Sequence, residues 1–511
     1  MDPNAFGDNS RAAPRGAWSA WRGYLAVLVV FFGLYAATAQ RGCAWQDSGI
    51  YQWRILRFDL TGRLGLALSH PLLILLGRAF SAVPAGPVAW RMNLVSAVFA
   101  ALAAANVFLL VRRLVPDRPA SAWFAAGVFG LAHTTWWLAT ICESQAVFVA
   151  LFTAEVNVLL SLVRRPRGHL VLLLGGLNGL ALTAHNLALL AAAIHGLVVI
   201  GLCLRRRLRW HAVGLLGVGW AVGAAGLLVM VAHLAADVGP RQAVESALFG
   251  QRWKGDVLGG SLRAVLMGGG YVLYNFPNAA LPLAGLGLAA LRRRPGKAEA
   301  RALAGFAGIF LLFAIRYTVV DQFMFFLPFY AMVAALAGVG FGRLAARPDR
   351  RWAAGALLTV LLGPMLYAAM PTVAGGLGLR LPGRKDLPFR NHARYWLSPW
   401  KGGEDSAGRF ASAVLKHCPG DGVVIADGTS LYPLLWTREM AGSRGRCVLL
   451  ATDQATRENI PFGRPNVFVV SREPGYYPAW FSGVASLAEH GRERILFRVV
   501  WRRRQGGSPD P

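Results

Sequence analysis

The residues best able to do chemistry in this chain stand where long apolar blocks end. Asp47 comes just after the first block, with Arg54, Arg57, Arg63 and His70 following it. Glu143 follows Trp136-Trp137, His185 and Asn186 separate two further blocks, and Arg316 and Asp321 flank another break. A carboxylate so placed can act as general base on a hydroxyl group. Nearby cations can hold a phosphate and stabilise it as a leaving group. His70 can hydrogen-bond or donate a proton. Asp237, Glu245 and Asp256 add acids to a later polar segment. The bland reading of each is a solvated loop residue, and a basic loop can equally grip lipid headgroups.

The elements that position these residues are membrane spans. Of 511 residues, 55% are hydrophobic and 15% charged, against about 25% charged in soluble domains. Apolar blocks run near 23–39, 92–111, 119–138, 145–163, 169–184, 186–204, 211–234, 271–291, 301–317, 322–341 and 353–371. Each approaches the roughly 20 residues that span a bilayer as a helix. Every second connection is basic: Arg112, Arg113 and Arg118; Arg164, Arg165 and Arg167; Arg205–Arg207 and Arg209; Arg292–Arg294 and Lys297; Arg343, Arg347, Arg350 and Arg351. Such loops are expected on the cytoplasmic side. The net charge of +28 is read the same way, with attraction to anionic lipid as a further component. Nucleic-acid binding is set aside, because it needs a basic stripe on a soluble domain.

The alternation closes only if 40–90 is one outer loop. Its apolar piece, 64–83, is interrupted by Gly65, Ser69, His70, Pro71 and Gly77, and is expected to lie on or dip into the membrane. The reading is then about eleven spans, with the N-terminus inside and the C-terminus outside. Ala37-Thr38-Ala39 mimics a signal-peptidase site, but the long series of blocks after it favours an uncleaved first span. On this topology the acids and histidines near the spans gather at the outer interface.

Expected domains are a cytoplasmic N-terminus (1–22), a transmembrane domain (23–379) and an extracytoplasmic α/β domain (380–502). A disordered tail (503–511) follows. In the α/β domain, Asp421–Ala426, Cys447–Ala451, Val467–Val470 and Ile495–Val500 read as buried strands, with helices near 405–416 and 430–440. Among five cysteines no CxxC occurs, which argues against a zinc or redox site. Cys418 and Cys447 can pair if this domain is extracytoplasmic, or remain two thiols. Nothing demands a metal or other cofactor. Abundant Arg, Ala and Gly suggest a bacterial source, hence an inner (plasma) membrane location.

Several short motifs resemble one family. Asp47-Ser48-Gly49, then Ser69-His70-Pro71, then Trp90-Arg91-Met92-Asn93 follow the order of the protein O-mannosyltransferase-like membrane proteins of the glycosyltransferase C superfamily. Trp137–Glu143, Leu182–Asn186, Asp321-Gln322 with Phe326-Leu327-Pro328, and Ala426-Asp427-Gly428 with Pro433–Trp436 resemble its later motifs. The best match covers about 40–190. Ile50 stands where the family often has Glu, Leu72 replaces a second Pro, and Asn186 follows His185 instead of preceding it.

The resemblance implies a glycosyltransferase C-like α-helical polytopic protein. It implies inverting transfer of a sugar from a polyprenyl-phosphate-linked donor to a protein, glycan or lipid acceptor. By that carry-over Asp47 is the first catalytic candidate, acting as base or positioning the acceptor. Glu143 and His185 line the site, and His70 shapes the donor pocket. Arg54, Arg57, Arg316 and Asp321 are further substrate-binding candidates. Two other classes stay open. A transporter would show inverted repeats and charges at span centres, which are scarce here. A non-catalytic scaffold is left open by Ile50.

Overall fold

The computed structural model describes residues 15–250, 253–293, 297–379, 386–442, 447–491 and 494–502. The expected tail at 503–511, and the boundary placed at 380, lie outside the described residues. The chain is an α-helical bundle carrying a small mixed sheet near its C-terminus.

Helix α1 (Arg15–Thr38) leads into a long connection that holds α2 (Gln46–Arg57) and α3 (Pro71–Ser81). Pro71 opens α3, where its missing N–H costs nothing. Helix α4 (Val88–Leu114) follows, Ala-rich, with Arg112 and Arg113 in its last turn, where they complement the helix dipole. Next come α5 (Pro119–Gly130), α6 (His133–Ala139), α7 (Ser144–Arg164), α8 (Gly168–Ala184) and α9 (Ala188–Leu204). Helices α10 (His211–Gly223) and α11 (Ala225–Val238) lead to a second long connection, with α12 (Pro240–Phe249) and α13 (Lys254–Leu258). Then follow α14 (Leu262–Asn275), α15 (Ala280–Arg292), α16 (Ala298–Arg316), α17 (Leu327–Leu344), α18 (Arg351–Leu358) and α19 (Leu362–Gly376).

Among the described residues six helices are long and apolar enough to cross a membrane, or seven if the bent α10–α11 pair is one span. That is fewer unbroken spans than the eleven apolar blocks. The difference has local causes. The block at 119–138 breaks after Gly130 into α5 and α6. The block at 211–234 bends by 73°. The block at 271–291 is split after Asn275, because Pro277 disfavours helix at the residue before it. Helices α8, α9 and α15 are apolar but shorter than 18 residues.

Helices α4, α7 and α17 form the buried centre of the bundle, whereas α1, α14 and α18–α19 expose apolar side chains such as Val29, Val30, Leu266, Leu273, Leu358 and Met365. An apolar outer surface of this extent is stable against lipid, not water. Close helix pairs use glycine. Gly175 and Gly179 of α8 face Gly219 and Gly223 of α10, and a Cβ at any of the four would collide with backbone across the contact. Without a hydrophobic drive between helices in lipid, such close backbone approach supplies the packing. The protein is an integral membrane protein.

The C-terminal region contains α20 (His392–Leu397), α21 (Ser406–His417) and α22 (Leu431–Met440). Its strands are β1 (Gly422–Ala426), β2 (Cys447–Ala451), β3 (Val467–Val469), β4 (Ala485–His490) and β5 (Leu496–Trp501). The sheet order is β2-β1-β3-β5-β4. Strands β2, β1 and β3 are parallel, and β5 and β4 add antiparallel pairs. Strand β4, partly exposed along its length, is the one strand absent from the expected set. The region docks on the connection between α1 and α2. The Trp45 indole donates to the Ser406 hydroxyl at 2.8 Å, and the Lys401 amide donates to the Thr38 carbonyl at 2.8 Å.

Candidate active site

Helix α2 presents Asp47, Tyr51 and Arg54 at i, i+4 and i+7, which is one face of a helix. Asp47 is half-buried and borders two cavities. The first, about 250 Å³, is mainly apolar. Tyr51, His70, Gln145, His185, Trp253, Tyr317 and Phe325 line it, with Leu189, Leu190 and Leu248. The second, about 220 Å³, is more polar. It lies between α2, the 59–68 loop and the C-terminal region, and is lined by Arg54, Asp59, Arg63, Tyr432 and Gln454.

Glu143 sits just before α7 and is buried. The Ser48 hydroxyl donates to its Oε1 at 2.6 Å, and its backbone N–H donates to the Ser96 hydroxyl at 2.9 Å. Burial, then the charge of Asp321, raises Asp47 to about 7. Burial also pushes Glu143 well above the ordinary carboxyl range, reinforced by Asp47 and opposed by the Ser48 hydrogen bond. Asp47 and Glu143 therefore form an acidic pair whose like charges resist ionising together, and the charge of Asp321 acts on both. Among the described residues no group of three His, Cys, Asp or Glu is arranged to hold a metal ion.

The two histidines stack. His70 and His185 have ring centroids 5.3 Å apart at 20°, with Tyr51 edge-on to His70. His70 Nδ1 lies 2.7 Å from the Ala184 carbonyl oxygen, which can only accept, so this nitrogen carries the proton and Nε2 the lone pair. His185 Nδ1 accepts from the Leu187 amide at 3.1 Å, which puts its proton on Nε2. Burial lowers both, His185 to about 4, so both are neutral near pH 7. His70 takes φ 42°, in the left-handed region, as it turns the chain into α3.

The structure thus brings Asp47, His70, Glu143 and His185 together, with the charge of Asp321 felt by both acids. The candidate arginines are placed otherwise. Arg54 is buried and donates to four backbone carbonyls, of Asp59, Leu60, Leu68 and Ser69, at 2.7–3.2 Å. It braces the loop that precedes α3, leaving little of its guanidinium for a phosphate. Arg57 is exposed, 3.2 Å from Glu439 and over the Trp53 ring. Arg316 is exposed at the end of α16 and donates to the Gly259 carbonyl. Neither borders the two cavities. Arg63 does border the polar one and pairs with Asp453 at 3.1 Å. Tyr51, Gln145, Trp253, Tyr317, Tyr432 and Gln454 were not anticipated. Only Tyr51 carries a signal, its i+4 spacing from Asp47.

Comparison with known proteins supports the same class. The chain has the fold of ArnT from Cupriavidus metallidurans. It matches ArnT bound to undecaprenyl phosphate at TM-score 0.62 and 14% identity, covering 95% of this chain and 98% of that one. The apo form gives 0.62 and 15%, covering 94% and 98%. The expected fold class, a glycosyltransferase C-like helical membrane protein with a small C-terminal sheet, is borne out. The resemblance in sequence is borne out as well. Residues 67–207 match the family described as protein O-mannosyl-transferase TMEM260 N-terminal domain. Mouse protein O-mannosyl-transferase TMEM260 is 32% identical over 155 residues, 28% of this chain and 21% of the mouse protein. The chain thus spans about a fifth of that relative's length. His70, Glu143 and His185 fall inside the matched segment; Asp47 precedes it.

Proposed function

We propose that this protein is a membrane glycosyltransferase that moves a sugar from a polyprenyl-phosphate-linked donor to an acceptor hydroxyl on the extracytoplasmic face. The carrying observation is the position of Asp47 at the border of an apolar and a polar cavity. The apolar cavity suits a lipid carrier, since leucines and aromatic rings line it together with a few polar groups. Undecaprenyl phosphate bound to ArnT, a protein of the same fold, supports a polyprenyl-phosphate donor. The polar cavity suits the acceptor.

In this reading the acceptor hydroxyl attacks the anomeric carbon as Asp47 takes its proton. The bond from that carbon to the phosphate oxygen breaks, and polyprenyl phosphate leaves. A base with a pKa near the working pH is the efficient one. Glu143, held neutral, adds no second charge beside it. In this reading the Nε2–H of His185 donates to the leaving phosphate. Helix α22 and Gln454, from the C-terminal region, face the acceptor, which makes that region part of the site and not only a cap.

The test is transfer of labelled sugar from a polyprenyl-phosphate donor to endogenous acceptors in isolated membranes, comparing wild type with Asp47→Asn at matched expression. Label lost in the variant supports the reading. Equal label overturns Asp47 as base. A Gln454→Ala change should raise KM for the acceptor and leave KM for the donor alone. The reverse would exchange the roles of the two cavities.

A further inference from the structure

Strand β1 begins at Gly422, which pairs in register with Cys447, the first residue of β2. Cys418 caps the C-terminus of α21, four residues before Gly422. A Cβ at Gly422 would lie 2.7 Å from the Cys418 sulfur. The missing side chain therefore leaves the space in which the Cys418 sulfur sits over the start of β1, next to β2. Both cysteines are buried, and their sulfurs are in hydrogen-bond contact. The Cys418 thiol and the nearby Arg438 lower Cys447 to about 7.

We propose that Cys418 and Cys447 form a disulfide in the mature protein. The inference rests on the extracytoplasmic placement of the C-terminal region in the proposed function. In that compartment a disulfide-bearing oxidoreductase is the oxidant. The Cys447 thiolate attacks its disulfide, giving a mixed disulfide and one released oxidant thiol. The Cys418 thiolate then displaces the second oxidant sulfur. Two protons and two electrons leave the pair, and the oxidant ends as a dithiol. Exchange precedes burial, as the region folds. The bond closes a loop that contains β1 and α22, so it fastens the segment carrying Leu431, Tyr432 and Leu435 against the polar cavity. It removes freedom from the unfolded chain and holds this wall in place.

The experiment is peptide mapping of full-length protein, alkylated in denaturant without reductant after purification from membranes of a host with an oxidising extracytoplasmic compartment. A linked peptide joining Cys418 to Cys447, with Cys43, Cys142 and Cys203 alkylated, is expected. Alkylation of both Cys418 and Cys447 overturns the proposal. A compartment reporter fused after residue 502 separates the two causes. An active reporter with free thiols sinks the disulfide alone; an inactive one sinks the topology beneath it. Reductant should lower the Tm of wild type by several degrees and leave the C418S/C447S variant unmoved. An equal response of the two overturns a stabilising bond.

Discussion

Two acidic clusters lie along α7 and share residue types, yet their surroundings differ. At the outer end Glu143 accompanies Asp47 and Asp321, next to the His70–His185 stack. About three turns further in, Glu155 meets Asn178 of α8 at 3.1 Å and His195 of α9 at 3.6 Å. In the first cluster Asp47 borders two cavities, and His70 and His185 line one of them. The inner one is sealed: Glu155 and His195 are at most 1% exposed, and neither lines a described cavity. A carboxylate and an imidazole become a site where a substrate can reach them. Sealed among helices, the same pair joins α7, α8 and α9 and discourages alternative packings.

The sharpest way to break this contrast is Asp47→Asn. Loss of the base should cost about 10²–10⁴-fold in transfer, with folding intact. Glu155→Gln, the same chemical change in the inner cluster, should leave transfer within about twofold, because the amide still bonds to Asn178. Equal losses in both would end the distinction.

Arg54→Ala comes next. It should strip four buried or half-buried carbonyls of their donor and cost about 2–5 kcal/mol, read as a lower Tm. Activity would fall through misplacement of the 59–70 segment and His70. A variant of unchanged Tm but weakened donor binding would return Arg54 to phosphate binding.

A smaller effect separates the clusters by pH. Transfer should rise as Asp47 ionises, with a midpoint near 7. The sign for stability is opposite. Between its ordinary value of 3.8 and about 7, Asp47 is ionised in the unfolded chain but protonated in the folded one. Folded-state stability from this group is therefore lost as pH rises through that window and is flat above it. Asp47→Asn should remove that slope, leaving a variant that is inactive and, at pH 8, more stable than wild type. Thermal unfolding of both proteins at pH 5 and pH 8 checks it; parallel curves would contradict a buried, proton-holding Asp47.

What the sequence disclosed follows from where its signals are local. Long apolar runs marked the membrane helices, and four of the five strands stood out as short apolar runs between turns. Asp47, His70, Glu143 and His185 were visible because acids and histidines at span ends are scarce. Arg54 could not be read, since a phosphate and a carbonyl make the same demand on an arginine in a basic loop. Tyr317, Trp253 and Gln454 reach the cavities from elements far apart in the chain, and no local pattern marks them. Breaks within apolar blocks were hidden for a related reason: hydropathy does not register a kink after Gly130.

The inner cluster also admits a finer cut. Glu155→Ala removes the acceptor for Asn178 and leaves His195 without its carboxylate neighbour, whereas Glu155→Gln keeps an acceptor at the same place. If the cluster serves packing alone, the Ala variant should lose about 1–3 kcal/mol more than the Gln variant, and both should transfer sugar at near-wild-type rates once folded. Asn178 Nδ2 also donates to the Ala188 carbonyl at 3.0 Å, so part of the α8–α9 junction survives either change and the loss stays bounded. If transfer fell in Glu155→Gln while its Tm held, the acid would be acting through its proton, and the division between an open, reactive end of α7 and a sealed, structural middle would have to be redrawn.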